Sequence, residues 1–121
     1  MSSIINKILL ESEVVENDFK SIPYFYHATS QDGFYAIMKE GIKVPYGVYL
    51  ADSYQNAAKF LVLRGVTPIY VVKISGKKLD KNLLEESFDH SESFFKCKAY
   101  VYNGDITLNK ILMGQTKIFQ R

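Results

Sequence analysis

The side chains of this 121-residue sequence that could do chemistry are two histidines, one cysteine, nine tyrosines and a scatter of carboxylates. His27 follows the aromatic run Tyr24-Phe25-Tyr26. From there an imidazole can hold a ligand, or simply pack and cap a strand end. Tyr49, between Val48 and Leu50, offers a flat face for stacking a planar ring, or serves as ordinary strand packing. Phe60 reads as core. Cys97 with His27 or His90 is a conceivable thiol–imidazole pair, but no flanking signature supports it and a structural thiol is the simpler reading. Two histidines without a cysteine pair or helical spacing argue against zinc. There is no glycine-rich phosphate loop. Glu86, Asp89 and Glu92 fall in a polar stretch, where a solvated loop charge is the ordinary role.

Those residues need a scaffold, and the bulk numbers bound it. A chain of this length forms one domain, 1–121, with a single apolar core. Hydrophobic content of 47% and charged content of 23% are those of a folded protein. The net charge of +2 gives no electrostatic argument for a nucleic-acid or membrane partner. Lys77, Lys78 and Lys81 form the nearest approach to a basic cluster, and a solvated turn explains them. A lone cysteine suits a reducing compartment. With no signal-peptide pattern and no apolar run of about 18 residues, a cytoplasmic protein is expected. Tyrosine and phenylalanine are abundant and tryptophan is absent, a supply suited to a pocket that stacks flat rings as well as to a core.

Taken in order, residues 2–20 read as a helix capped by Ser2 or Ser3, with an apolar stripe of Ile4, Ile5, Ile8 and Leu9. Pro23 ends that region, and Tyr24 to Ala28 is an aromatic strand. Thr29, Ser30 and Asp32 supply helix-start side chains. Phe34, Ile37 and Met38 make the apolar face, and Gly41 is placed to stop the helix. After a turn at Pro45-Tyr46-Gly47, Val48 to Ala51 forms a strand. Asp52 or Ser53 caps a helix through Ala57, Ala58, Leu61 and Val62 that stops at Gly65. Pro68 to Ile74 is the clearest strand. Leu79 to Glu86 reads as holding one helical turn, Lys96 to Tyr102 as a strand, and Asn103-Gly104 as a tight turn. Ile106, Ile111 and Lys117 to Phe119 can supply further strands. Helices fall early and strands late, so an α+β fold with mostly antiparallel or mixed sheets is expected.

The ordered set His27-Ala28-Thr29-Ser30, Glu40-Gly41-Ile42 and Gly47-Val48-Tyr49-Leu50-Ala51-Asp52-Ser53, with Ala57 and Phe60 downstream, resembles the ADP-ribosyltransferase superfamily. The similarity is to its histidine–tyrosine branch, which includes diphtheria toxin and the poly(ADP-ribose) polymerases. It covers roughly the central half of the chain, through motifs that are short singly and specific in conjunction. The resemblance implies a small fold of that kind and NAD as substrate. His27 would bond the 2′-hydroxyl of a ribose in NAD. Ala28 stands where a glycine usually lets the backbone pair with the nicotinamide carboxamide, and Thr29 completes that strand-end motif. Tyr49 would stack on the nicotinamide ring, with Phe60 where a second stacking tyrosine is common, and Ser53 would contribute a hydroxyl on the nicotinamide side.

The family's glutamate position falls on Ala99 or Lys98, neither a carboxylate. A catalytic carboxylate would then come from Glu92, Asp89 or Glu86; otherwise catalysis is substrate-assisted, or the site binds without reacting. The resemblance implies a mono-ADP-ribosyltransferase acting on a protein or nucleic acid, as toxins and phage effectors do. Its alternatives are a silent binding module that inhibits a partner complex, as an anti-defence protein would, and an NAD glycohydrolase. The tRNA 2′-phosphotransferases share this fold but rely on arginines around the histidine, and here Tyr26 and Ala28 flank it.

Overall fold

The structure, a computed structural model, describes residues 19–43, 47–87 and 99–120. The expected N-terminal helix lies outside them except for Phe19–Ser21, a single 3-10 turn. Cys97, His90, Asp89 and Glu92 also lie outside the described residues.

The first strand, β1 (Tyr24–Thr29), runs into helix α1 (Gln31–Glu40). Ser30 starts that helix by accepting the Gly33 N–H at 3.1 Å, one of the donors a helix N-terminus leaves over. Gly41 stops it at φ 76°, with its N–H returned to the Ile37 carbonyl. Strand β2 (Val48–Leu50) and helix α2 (Tyr54–Val62) follow, α2 closing in a turn at Gly65, φ 71°. Then come β3 (Ile69–Ser75), β4 (Leu84–Ser87), β5 (Ala99–Tyr102) and β6 (Lys117–Phe119).

The result is an α+β fold with two helices and two antiparallel three-stranded sheets, ordered β1-β3-β6 and β2-β5-β4. In β3, Val71 and Val72 are both buried, because α2 covers one face of its sheet and α1 the other. That two-sided cover is why Ile69 to Ile74 reads as almost continuous β-branched sequence. On the α1 side the core joins Phe25, Ile37, Leu50, Val72, Tyr100 and Tyr102. Each such side chain contributes about 1.5–3 kcal/mol by leaving water. Phe25 meets Tyr100 edge to face at 5.4 Å, and the buried Tyr102 hydroxyl accepts the Asp80 N–H at 3.0 Å. On the α2 side Ala51, Ala57 and Ala58 bring helix and sheets close, with Ile69 and Val71 beneath.

The one helical turn expected within Leu79 to Glu86 is present as Lys81–Leu83, and three other parts of the sequence reading change here. Leu84–Ser87 is a strand, the helical turn ending before it at Leu83, because Leu84 to Ser87 find partners in Tyr102 to Ala99. Asn103-Gly104 does not close a two-residue hairpin: the Asn103 N–H bonds Leu83, and the chain runs on until Ile106 bridges Ile42. Ile106 and Ile111 make single bridges, not strands.

Candidate functional site

Among the described residues the main chains of the two sheets are joined by one bridge. Tyr26 of β1 and Ala51, just past β2, exchange both main-chain bonds at 2.9 Å. In an antiparallel ladder the main-chain groups of every second residue point to the same neighbour. Since Tyr26 spends its N–H and C=O on Ala51, Ala28 aims its own pair at the same side, and Tyr49 aims its pair back. The next rung would join Ala28 to Tyr49, but among the described residues that rung is absent. His27 takes its place: the ring Nδ1 lies 2.9 Å from the Tyr49 carbonyl oxygen.

A carbonyl can only accept, so Nδ1 carries the proton. Burial pushes the imidazole below its ordinary pKa, against a smaller opposite pull from the Tyr49 carbonyl. The ring is therefore neutral at neutral pH, with Nε2 as a lone-pair acceptor. Among the described residues no second bridge joins the two strands beside Tyr26–Ala51, so by strand alternation the Ala28 N–H and C=O face β2 without the paired main-chain bonds of a ladder rung.

Tyr49 shows an alternation that no burial average would reveal. Val48 and Leu50 are buried, while Tyr49 keeps 48% of its surface. Strand alternation puts it on the Ala51 face of β2, the side that α2 covers. Phe60, half-buried on α2, packs against the same Ala51-centred cluster as Ala28. Ala28, Tyr49 and Phe60 thus belong to the α2 side of the two strands, while His27, opposite Val72, projects from the α1 side and reaches the Tyr49 main chain from there. Thr29 is half-buried, and its hydroxyl sits over Gly33, where any Cβ would come within 2.0 Å. That contact fixes how α1 leaves β1.

Ser53 turns out to be a helix cap: its Oγ accepts the Asn56 N–H at 3.0 Å. Among the carboxylates suggested by sequence, Glu86 pairs with Tyr100, which pairs with Leu50, so all three lie on the core face of the second sheet. The row Tyr49–Val101–Glu85 lies on the opposite face. Glu85, exposed and two strands from Tyr49, is a carboxylate on that face which the sequence did not single out. Its Cα stands about 10 Å from that of Tyr49 at ordinary strand spacing. Nothing in the sequence marks Glu85 over Glu86; only the register of β4 separates them. Ala99, at the position where the resemblance puts a glutamate, is buried.

Among the described residues no group of three or more His, Cys, Asp and Glu is placed to hold a metal ion. Among the described residues no helix is long and apolar enough to cross a membrane. Compared with protein families, curated proteins and solved structures, the chain matches none.

Proposed function

We propose that the gap between β1 and β2 binds the nicotinamide half of NAD and that the protein transfers ADP-ribose to a macromolecular acceptor. The observation that carries this reading is the missing rung. A primary carboxamide offers one C=O and one NH2, the complement of the Ala28 N–H and C=O that the interrupted ladder leaves at its edge. Tyr49 would stack on the pyridinium, with Phe60 closing the pocket from α2. Neutral His27, its Nδ1 proton committed to Tyr49, would accept a ribose hydroxyl at Nε2. Breaking the bond between ribose and nicotinamide sends the electron pair to the leaving group and positive charge to the ribose. An acceptor oxygen or nitrogen then forms the new bond at that carbon and releases a proton. Glu85 would offset the developing charge from the Tyr49 face.

The buried Ala99 favours a second reading, in which the same pocket binds NAD or a partner without turnover. One comparison separates the two. The protein is incubated with NAD labelled in the adenylate, with and without cell lysate, beside His27→Ala and Tyr49→Ala. Label transfer to lysate that both variants lose supports the enzyme. Nicotinamide release without transfer marks a glycohydrolase. A thermal shift with NAD and no turnover leaves the binding module. NAD at 100 times its dissociation constant stabilises the fold by about 2.7 kcal/mol. No shift at all would refute NAD binding.

A further inference from the structure

We propose that the tyrosine–lysine face of the β1-β3-β6 sheet is a binding surface for single-stranded nucleic acid. The Lys73 ammonium lies 4.2 Å from the centre of the Tyr24 ring and 6.0 Å from that of Tyr26. Tyr26 meets Tyr54 at 4.5 Å between ring centres, and the Lys117 ammonium lies 4.5 Å over Tyr54. Side chains from β1, β3, β6 and α2 thus make one run: Tyr24, Lys73, Tyr26, Tyr54, Lys117.

The run is held from behind. Gln115 accepts from Lys73 Nζ through Oε1 at 3.2 Å and from the Tyr54 hydroxyl through its main-chain oxygen at 2.5 Å. Lys117 pairs with Val71, two residues from Lys73, so the two lysines are diagonal neighbours with Cα atoms about 7–8 Å apart. Asp52, whose charge acts on Tyr26, accepts a bond from Asn56 at 2.9 Å.

Ammonium groups held over aromatic rings are partly immobilised before a ligand arrives, so they have less side-chain freedom to lose on binding. Tyr24, 41% exposed, ends the run with a ring on which a base can stack. Cations that track a backbone, interleaved with rings, are how single strands are bound without sequence preference. A duplex keeps its base faces inside its own stack and cannot use Tyr24. This proposal is independent of the NAD reading, and its test contains no NAD.

The test is fluorescence anisotropy of a short labelled mixed-sequence oligonucleotide, single-stranded and as a duplex, against the full chain over a salt series. The single strand should bind more tightly than the duplex. Replacing both lysines (Lys73→Gln with Lys117→Gln) should reduce the slope of log affinity against log salt by about 1.4, at about 0.7 per phosphate contact. Tyr24→Ala should weaken binding about fivefold or more with the slope unchanged. Lys39→Gln, on α1, should change nothing. Thermal melting checks that each variant folds, and Lys117→Gln alone, at an exposed position, keeps the test available if the double variant does not. The proposal fails if the wild type does not bind at low salt, if the duplex binds equally well, or if the lysine variants bind like wild type. It also fails if inorganic pyrophosphate competes as well as the unlabelled strand, since the site would then read phosphate alone.

Discussion

Gly41, Gly65 and Gly114 should respond very differently to the same added methyl group. Gly41 has φ 76° and ψ −167°, a region essentially closed to other residues and costing them about 1–3 kcal/mol. Its added Cβ would lie 2.5 Å from the Ile106 carbonyl oxygen, with Thr107 Cα at 3.2 Å and Leu108 N at 3.3 Å behind it. All three are main chain, so no side chain can swing away. That carbonyl accepts the Ile42 N–H at 2.8 Å, and the reciprocal bond is also 2.8 Å. Losing the pair costs about 1 kcal/mol per bond. Gly41→Ala should therefore destabilise by roughly 3–5 kcal/mol, a large share of the about 5–15 kcal/mol such domains have. Gly65 shares a positive φ of 71° but would meet nothing within 4 Å, so its alanine variant should lose only about 1–2 kcal/mol. Gly114 is open and carries no positive φ, so Gly114→Ala should be neutral or gain up to about 1 kcal/mol. Urea unfolding read by the midpoint at constant m-value gives all three numbers. If Gly41→Ala falls within about 1 kcal/mol of Gly65→Ala, the tight bridge at the end of α1 is wrong.

The remaining expectations concern the gap. Because the folded pKa of His27 lies below its ordinary 6.5, its contribution to stability is fully present above that value and is lost as pH falls toward the folded pKa. Wild type should thus lose more stability than His27→Gln between about pH 7.5 and 5, and parallel curves would contradict a buried neutral ring. Ser53→Ala removes a cap bond, so it should cost about 1 kcal/mol in urea unfolding and leave the NAD-induced thermal shift unchanged; a lost shift at constant stability would give Ser53 a ligand role instead. Glu85→Gln should slow label transfer at least tenfold while keeping the NAD shift, a loss of about 1.4 kcal/mol in transition-state stabilisation. Equal transfer rates would remove Glu85 from the chemistry.

Local chemistry made much of this fold legible. The Ser30 cap and the Gly41 stop mark α1, and the β-branched run marks β3. Both rest on interactions within a few residues or on burial of a whole segment. What stayed hidden depends on distant partners. Leu84-Glu85-Glu86-Ser87 has no strand character of its own and becomes β4 only through pairing with β5. The Asn103-Gly104 signal was overruled by the bonds of Asn103 to Leu83 and Ile42 to Ile106. At the site, the residue types of His27 and Tyr49 drew attention, but the partner of the imidazole is a carbonyl, identical in every residue. The break in the ladder beside Ala28 is likewise a main-chain property that no side chain announces.

The open edge at Ala28 can be watched directly, by amide hydrogen exchange resolved to single residues with and without NAD. The Tyr26 amide, bonded to the Ala51 carbonyl, should exchange slowly in both conditions. The Ala28 amide should exchange quickly in the free protein and become protected when NAD or nicotinamide is added. Protection of Ala28 already present without ligand, or exchange there that saturating NAD does not change, would contradict the account.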